Sequence, residues 1–271
     1  MLYANPVPGD FVSGQYYDER GTDYYLSPAK LESDYAPVRF QRELRLFRKF
    51  CRSGKVLDVG CSTGGFLYNL NERFPAQYER LGTDVSGPAL EYASSRGTPV
   101  LRGDFLTTPA GPFDAVTFWA VLEHLFEPRA FLERAWSVLK PGGLCFVLVP
   151  NMKSLAWRLL GVRYRYIYPQ HLNYFTGRTL TRLVGERFSV LKLRSMHFNP
   201  LVIWQDWRSG GADVSNRERA ELLKRTTGYK RSPGLAPLRL AYPLVESGLG
   251  ALGLADNLAI VLRKETGNKE V

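Results

Sequence analysis

The 271-residue sequence has only three cysteines and three histidines, and no uncharged apolar run long enough to cross a bilayer. Cys51, Cys61 and Cys145 show no paired or metal-binding spacing, which suits a reducing compartment. The first residues lack the basic and apolar segments of a signal peptide. These absences predict a cytoplasmic protein. The most apolar late stretch, residues 235–254, contains charges and prolines and remains a candidate for peripheral membrane contact or a homodimer interface.

The positive charge of the chain is concentrated in its second half. The formal net charge is +10 overall, −1 over residues 1–150 and +11 over residues 151–271. Such an excess favours an anionic small molecule, a membrane surface or nucleic acid as partner, and a solvated basic face would show it too. The sequence has no appended RNA-binding module and no motif for holding a flipped base, which argues against nucleic acid.

Short apolar segments alternate with amphipathic segments along most of the chain. The alternation predicts an α/β fold with a doubly wound, largely parallel sheet, because parallel strands need crossover connections. Residues 1–35 are expected to form an irregular lead-in, and Pro37–Phe50 a basic amphipathic helix. Pro141-Gly142-Gly143 is expected to turn into the fifth strand, and Thr176 to cap a helix. The predicted strands are Val56–Val59, Arg80–Asp84, Pro99–Arg102, Asp114–Phe118, Leu144–Val149, Phe188–Met196 and Asn257–Arg263, with a helical insertion between the last two.

The segment from Val56 to Leu67 predicts a ligand site. It has the pattern of a buried strand, a glycine-rich turn and the start of a helix, and glycine lets backbone approach a ligand closely. Nucleotide-like ligands bind at the carboxyl ends of strands in doubly wound sheets. The dinucleotide fingerprint G-x-G-x-x-G is incomplete, because the middle position is Ser62. A tight turn without a ligand is the alternative.

Several segments, in order along the chain, resemble class I S-adenosylmethionine-dependent methyltransferases. Asp58, Gly60 and Gly64 match the first motif of that superfamily, D-x-G-x-G-x-G, from which Ser62 departs. The segment from Phe113 to His124 resembles the fourth-strand motif, and a Pro-Gly-Gly turn follows. The resemblance implies S-adenosyl-L-methionine as cofactor and a seven-stranded sheet whose last strand is antiparallel. The branch most resembled includes ubiquinone-pathway and sugar or natural-product O-methyltransferases.

The same resemblance implies which residues hold the cofactor. Asp84, at the end of the second strand, would accept hydrogen bonds from the ribose hydroxyls. Asp104 would meet the adenine amino group, with Phe105 against the ring. Simple capping roles for Asp84 and Asp104 are the alternatives. The full implied cofactor set is Asp58, Gly60, Cys61, Ser62, Gly64, Asp84, Val85, Asp104, Phe105, Trp119 and Ala120.

No essential metal is expected. Some quinone-pathway members of this branch carry a glutamate three residues before a Glu-His pair, and bind a divalent cation together with a catechol substrate. This chain has the pair, Glu123 and His124, but Ala120 at the earlier position. Two ligands make a poor site for a hard cation, so the sequence predicts no metal and disfavours a catechol acceptor.

Histidine is well suited to take a proton from a hydroxyl acceptor near neutral pH. By the resemblance, His171 matches the family's histidine after the fifth strand and is the expected general base, with His124 as second candidate. His171 could instead only bridge a loop, and an amine or carboxylate acceptor would need no strong base. Nearby aromatic and basic residues would clamp an anionic ring or form a hydrophobic lid: Trp157, Arg158, Arg163, Tyr164, Arg165, Tyr166, Tyr168 and Tyr174.

The sequence thus predicts one continuous domain in three parts. Residues 1–50 are the lead-in and first helix, 51–151 the cofactor-binding core, and 152–271 the acceptor-side lid, final strands and insertion. Because the cofactor methyl group is already activated, the protein would mainly align the acceptor for an in-line displacement. The predicted acceptor is a hydroxyl of a small molecule such as a sugar, a natural product, or a lipid or quinone precursor. RNA methylation and a non-catalytic cofactor-binding subunit are the alternatives.

Overall fold

The computed structural model describes residues 2–3, 9, 16–17, 22–108, 111–209, 216–229 and 236–265. Nine strands lie in these ranges: β1 (Leu2–Tyr3), β2 (Gly54–Val59), β3 (Tyr78–Asp84), β4 (Val100–Arg102), β5 (Phe113–Trp119), β6 (Leu139–Pro150), β7 (Asn173–Tyr174), β8 (Phe188–Met196) and β9 (Asn257–Lys264). Seven of them form one sheet in the order β4-β3-β2-β5-β6-β9-β8, and β1 pairs with β7. In this sheet β9 alone runs in the direction opposite to the other six strands. The predicted seven-stranded, mostly parallel sheet with an antiparallel last strand is confirmed.

Helices cover both faces of the sheet and fill the insertion between β8 and β9. They are α1 (Thr22–Tyr25), α2 (Pro28–Asp34), α3 (Gln41–Phe50), α4 (Gly65–Arg73), α5 (Gly87–Ser95), α6 (Pro128–Val138), α7 (Leu155–Leu160), α8 (Gly177–Val184), α9 (Pro200–Ser209), α10 (Asn216–Tyr229) and α11 (Ala236–Ala251). Thr176 caps α8 as predicted, because its hydroxyl accepts from the Thr179 N–H. Among the described helices, none has the length and apolar composition needed to cross a membrane.

Two expectations about local structure are wrong. The lead-in is not wholly irregular, since α1 and α2 lie within it; parts of it fall outside the described residues. The Pro141-Gly142-Gly143 segment lies inside β6, which already begins at Leu139. The pairing of β5 with β6 shifts register across this segment, and Gly142 has φ +73°. Leu139 pairs with Phe113 and Leu144 with Ala115, so residues 140–143 loop out of the pairing with β5 inside the strand, where a positive φ costs glycine little.

The core has two layers, one on each face of the sheet. Along β6, Cys145, Val147 and Val149 point into one buried cluster, while Phe146 and Leu148 point into the other. This alternation follows from the two-residue period of a strand. Because both faces are covered by helices, the open edge at the carboxyl ends of the parallel strands is where a ligand can enter.

Candidate active site

A cavity of about 700 Å³ lies at the carboxyl ends of β2, β3 and β5. The sheet order reverses direction between β2 and β5, and this switch point is where loops diverge and leave a crevice. All of the predicted cofactor residues except Gly64 line the cavity, and so do both candidate bases, His124 and His171.

The turn after β2 needs its first glycine. Gly60 has φ +69°, and a Cβ there would lie 2.6 Å from Cγ2 of Val121. Ser62 also adopts a positive φ, of 49°, which a non-glycine residue does at some cost in strain. A Cβ on Gly64 would meet Ala93 and Thr98, and Gly64 does not line the cavity, so its cofactor contact stays a prediction.

Asp84 links the ends of two strands. Its Oδ2 accepts from the Ser62 N–H at 2.8 Å and its Oδ1 from the Ser86 N–H at 3.0 Å. Burial raises the pKa of this carboxyl, against the effect of the backbone hydrogen bonds. Each carboxylate oxygen has a further lone pair, so two ribose hydroxyls can still donate to Asp84. Asp104 is exposed in the cavity wall, and its Oδ1 accepts from the Leu106 N–H at 3.0 Å, as the capping alternative expected.

The cavity wall also holds polar atoms that need a ligand. Asp58 is buried and its carboxyl accepts from the Thr117 hydroxyl at 2.6 Å; burial raises its pKa to about 7. Within the described residues, several other buried groups of the wall lack a hydrogen-bond partner: the side-chain oxygens of Ser62, Thr63, Thr83 and Ser86 and the indole nitrogen of Trp119. Buried polar groups are costly unless they are paired. A polar ligand such as the predicted cofactor fits this wall.

His171, His124 and Glu123 meet at one side of the cavity. Nδ1 of His171 donates to the Tyr166 carbonyl at 2.8 Å, and Nδ1 of His124 to the Gln170 carbonyl at 2.9 Å. The two rings are 4.7 Å apart between centroids, in an edge-to-face arrangement. Burial raises the pKa of Glu123 to about 8, so this carboxyl is largely protonated at neutral pH.

These three side chains form a group that could hold a metal ion. One donor atom from each lies within 4.8 Å of the others. The expectation of no essential metal counted only Glu123 and His124, and the structure adds His171. Three donor atoms suit a cation better than two, and the absence of a metal stays a prediction.

The predicted aromatic and basic clamp is only partly in the cavity. Arg165, Tyr166 and Tyr168 line it. The charge of Arg165 is already paired, since its Nε donates to Asp206 Oδ1 at 2.7 Å. Of the remaining members, Trp157 and Tyr164 pack in a small core against α9, Arg158 and Arg163 are exposed to solvent, and Tyr174 packs beside His171.

Sequence reasoning missed the N-terminal contribution to the cavity. Helix α2 packs against α10 of the insertion, and both helices reach the cavity wall. The missed residues are Tyr17, Tyr24, Tyr25, Lys30, Asp34, Arg39, Leu222 and Leu223. The signals that could have found some of them are the two tyrosine pairs and the Lys30–Asp34 spacing of an ion pair on a helix.

Residues 34–188 match the family model described as a methyltransferase domain. The ubiquinone biosynthesis O-methyltransferase of Caulobacter vibrioides is 26% identical over 232 residues, covering 75% of this chain and 88% of that protein. The trans-aconitate 2-methyltransferase of Deinococcus radiodurans is 38% identical over 129 residues, covering 46% of this chain and 48% of that protein. A solved structure of an S-adenosylmethionine-dependent methyltransferase from Thermotoga maritima has a TM-score of 0.56 at 16% identity. The match covers 93% of this chain and 97% of that one. The chain belongs to the methyltransferase-domain family and is an S-adenosylmethionine-dependent methyltransferase.

Proposed function

We propose that the protein methylates a hydroxyl group of a small molecule, with His171 as general base. The observation that carries the proposal is the position of His171, buried in the wall of the cavity that Gly60, Asp84 and Asp104 also line. The relation to a ubiquinone biosynthesis O-methyltransferase supports an oxygen acceptor. S-Adenosylmethionine, when bound, supplies the activated methyl group.

The tautomer of His171 suits proton transfer. Because a carbonyl oxygen only accepts, the hydrogen bond to Tyr166 requires the proton on Nδ1 and leaves the lone pair on Nε2. The ring of Tyr168 lies 4.2 Å from that of His171 between centroids and limits its rotation. His171 would take the acceptor proton on Nε2 as the acceptor oxygen becomes the nucleophile. His124, packed on Tyr17 at the same side, is the second candidate.

The side chains that surround the cavity support a small acceptor. Tyr24 and Tyr25 of α1, Lys30 of α2 and Leu222 of α10 close around it. An RNA substrate needs an open basic groove, and the cations that line this cavity are paired: Lys30 and Arg39 with Asp34, and Arg165 with Asp206. A cytoplasmic location, expected from the cysteine content, belongs to the same proposal.

The test is a His171→Gln variant assayed on a panel of hydroxyl compounds by release of S-adenosylhomocysteine. We expect kcat to fall by about 10²- to 10⁴-fold, with the S-adenosylhomocysteine Kd from calorimetry within about twofold of wild type. His197→Gln is the matched control, because His197 pairs with Glu43 outside the cavity wall. Unchanged turnover in the His171 variant would remove this residue from the role of base.

A further inference from the structure

Helix α9 presents an aromatic face to solvent. Leu201, Trp204, Trp207 and Arg208 are all exposed, Trp204 by 52% and Trp207 by 67%. With a turn of about 100° per residue, these four positions fall within about one third of the helix circumference. The guanidinium of Arg208 lies 5.4 Å from the centroid of the Trp204 ring. The face therefore combines large aromatic groups with positive charge.

Helix α7, which packs against α9, and the turn after it carry a second set of exposed apolar and basic residues. Leu159 and Val162 are exposed by 63% and 80%, and Arg158 and Arg163 next to them are exposed too. The two helices touch through their inner sides, where Val202 and Ile203 of α9 pack on the small core of α7. We call the outward residues the α7–α9 surface: Arg158, Leu159, Val162, Arg163, Leu201, Trp204, Trp207 and Arg208.

The composition of the α7–α9 surface indicates its partner. Single exposed apolar side chains are common, whereas several on adjoining helices mark a binding surface. A second copy of this chain is disfavoured, because a twofold interface would bring together two patches that each carry three arginines and no acidic side chain. No salt bridge within the described residues neutralises Arg158, Arg163 or Arg208. The partner should therefore be apolar and anionic.

We propose that the α7–α9 surface docks on a bilayer that contains anionic phospholipid. Tryptophan favours the headgroup level of a bilayer, leucine and valine the acyl boundary, and arginine the lipid phosphates. This surface function goes beyond methyl transfer and does not depend on which acceptor is used. Because Val202 of the same helix lines the cavity, docking would hold one wall of the active site at the membrane.

The α7–α9 surface is not the stretch, residues 235–254, at which the sequence predicted membrane contact. In that stretch Glu246 is buried and pairs with Arg42, so one side of α11 is tied to the protein. Leu244 and Leu252 are exposed by 76% and 73%. They provide a matched apolar control outside the α7–α9 surface.

The test is co-sedimentation of the full chain with vesicles of phosphatidylcholine alone and with about one third phosphatidylglycerol. Wild type should pellet with the anionic vesicles only, and binding should weaken as salt is raised. We expect Trp204→Ser/Trp207→Ser and Arg158→Glu/Arg163→Glu each to lower binding about tenfold or more. Leu244→Ser/Leu252→Ser should stay within about twofold of wild type.

Three results would overturn the inference: equal binding to both vesicle types, unchanged binding of both double variants, or equal loss in the Leu244/Leu252 control. A wild-type dimer that Trp204→Ser/Trp207→Ser makes monomeric, without any vesicle binding, would also overturn it. Each variant is checked by calorimetry with S-adenosylhomocysteine, which reports an intact fold. Failure of wild type to bind this ligand would bear on the methyltransferase site, not on the membrane surface.

Discussion

The cofactor side and the acceptor side of the active site are built from different kinds of contact. On the cofactor side, Gly60, Ser62 and Asp84 stand at the ends of adjacent strands. Backbone N–H groups donate to the Asp84 carboxylate and hold these ends together. On the acceptor side, Tyr17 packs on His124 although more than a hundred residues separate them. The first arrangement follows from sheet pairing, whereas the second exists only when distant segments fold together.

The carboxyl groups of the two sides also differ in their partners. Carboxyls on the cofactor side, such as Asp84, accept from backbone N–H groups. On the acceptor side, Asp206 pairs with a cation, Arg165. A buried ion pair adds little net stability, but breaking it leaves an uncompensated charge. We therefore expect side-chain changes on the acceptor side to damage the fold and changes on the cofactor side to damage binding.

The largest expected effect comes from breaking the acceptor-side ion pair. Asp206→Ala should lower the free energy of unfolding by about 3 kcal/mol, because Arg165 loses both its partner and the acceptor of its backbone N–H. Urea unfolding measures this loss. Arg165→Met/Asp206→Leu should recover most of it. A loss below about 1 kcal/mol in the single variant would mean that water already compensates the charge.

Removing Asp84 tests the cofactor side. Asp84→Ala should raise the S-adenosylhomocysteine Kd about 100-fold, or about 2.7 kcal/mol, since it removes the ribose acceptor and the link to Ser62. Calorimetry measures the Kd. Asp114→Ala is the matched control: this carboxyl pairs with Lys140 at the opposite end of β5. Equal losses in both variants would contradict a specific role for Asp84.

The buried Glu123 should make stability depend on pH. Its pKa rises from 4.5 to about 8 in the folded protein, so between these values the folded state binds a proton that the unfolded state has lost. The free energy of unfolding therefore falls as pH rises through this range. Glu123→Gln should be more stable than wild type at pH 6, on the order of 2 kcal/mol, with the difference vanishing below pH 4.5. Urea unfolding across the range checks this, and a pH-independent difference would contradict it.

The smallest expected effect is that of removing divalent cations. Treatment with EDTA should leave turnover unchanged, as the sequence predicts for a chain with Ala120 before its Glu-His pair. The assay is turnover on the acceptor found in the panel, before and after chelation. A loss that Mg²⁺ or Mn²⁺ restores would show that Glu123, His124 and His171 hold a cation.

The sequence predicted the sheet, the cofactor and most of the cofactor side. Strands were found because their apolar runs are local, and Asp84 because it directly follows one of them. Errors arose where packing overrode a local pattern. Pro141-Gly142-Gly143 was expected to precede its strand, yet Leu139 already pairs with Phe113 of β5, so the segment loops out inside β6.

The acceptor side could be predicted only in part. His171 was predicted through the family resemblance and lines the cavity, whereas Arg39 and Leu222 carry no signal that links them to a cavity. Arg165 was identified as a candidate anion-binding residue, and the sequence could not show that Asp206 already pairs with it.

The strands and the glycine turn at Gly60 follow from the amino-acid sequence, because short-range periodicity and backbone sterics specify them, and the methyl-donor chemistry follows from the resemblance of its motifs to a known family. The protonation of Glu123, the pairing of Arg165 and the outward face of Trp204 were decided only by the tertiary structure. Burial and charge pairing depend on which distant segments meet, and here the N-terminal helices and the insertion before β9 meet over the same cavity.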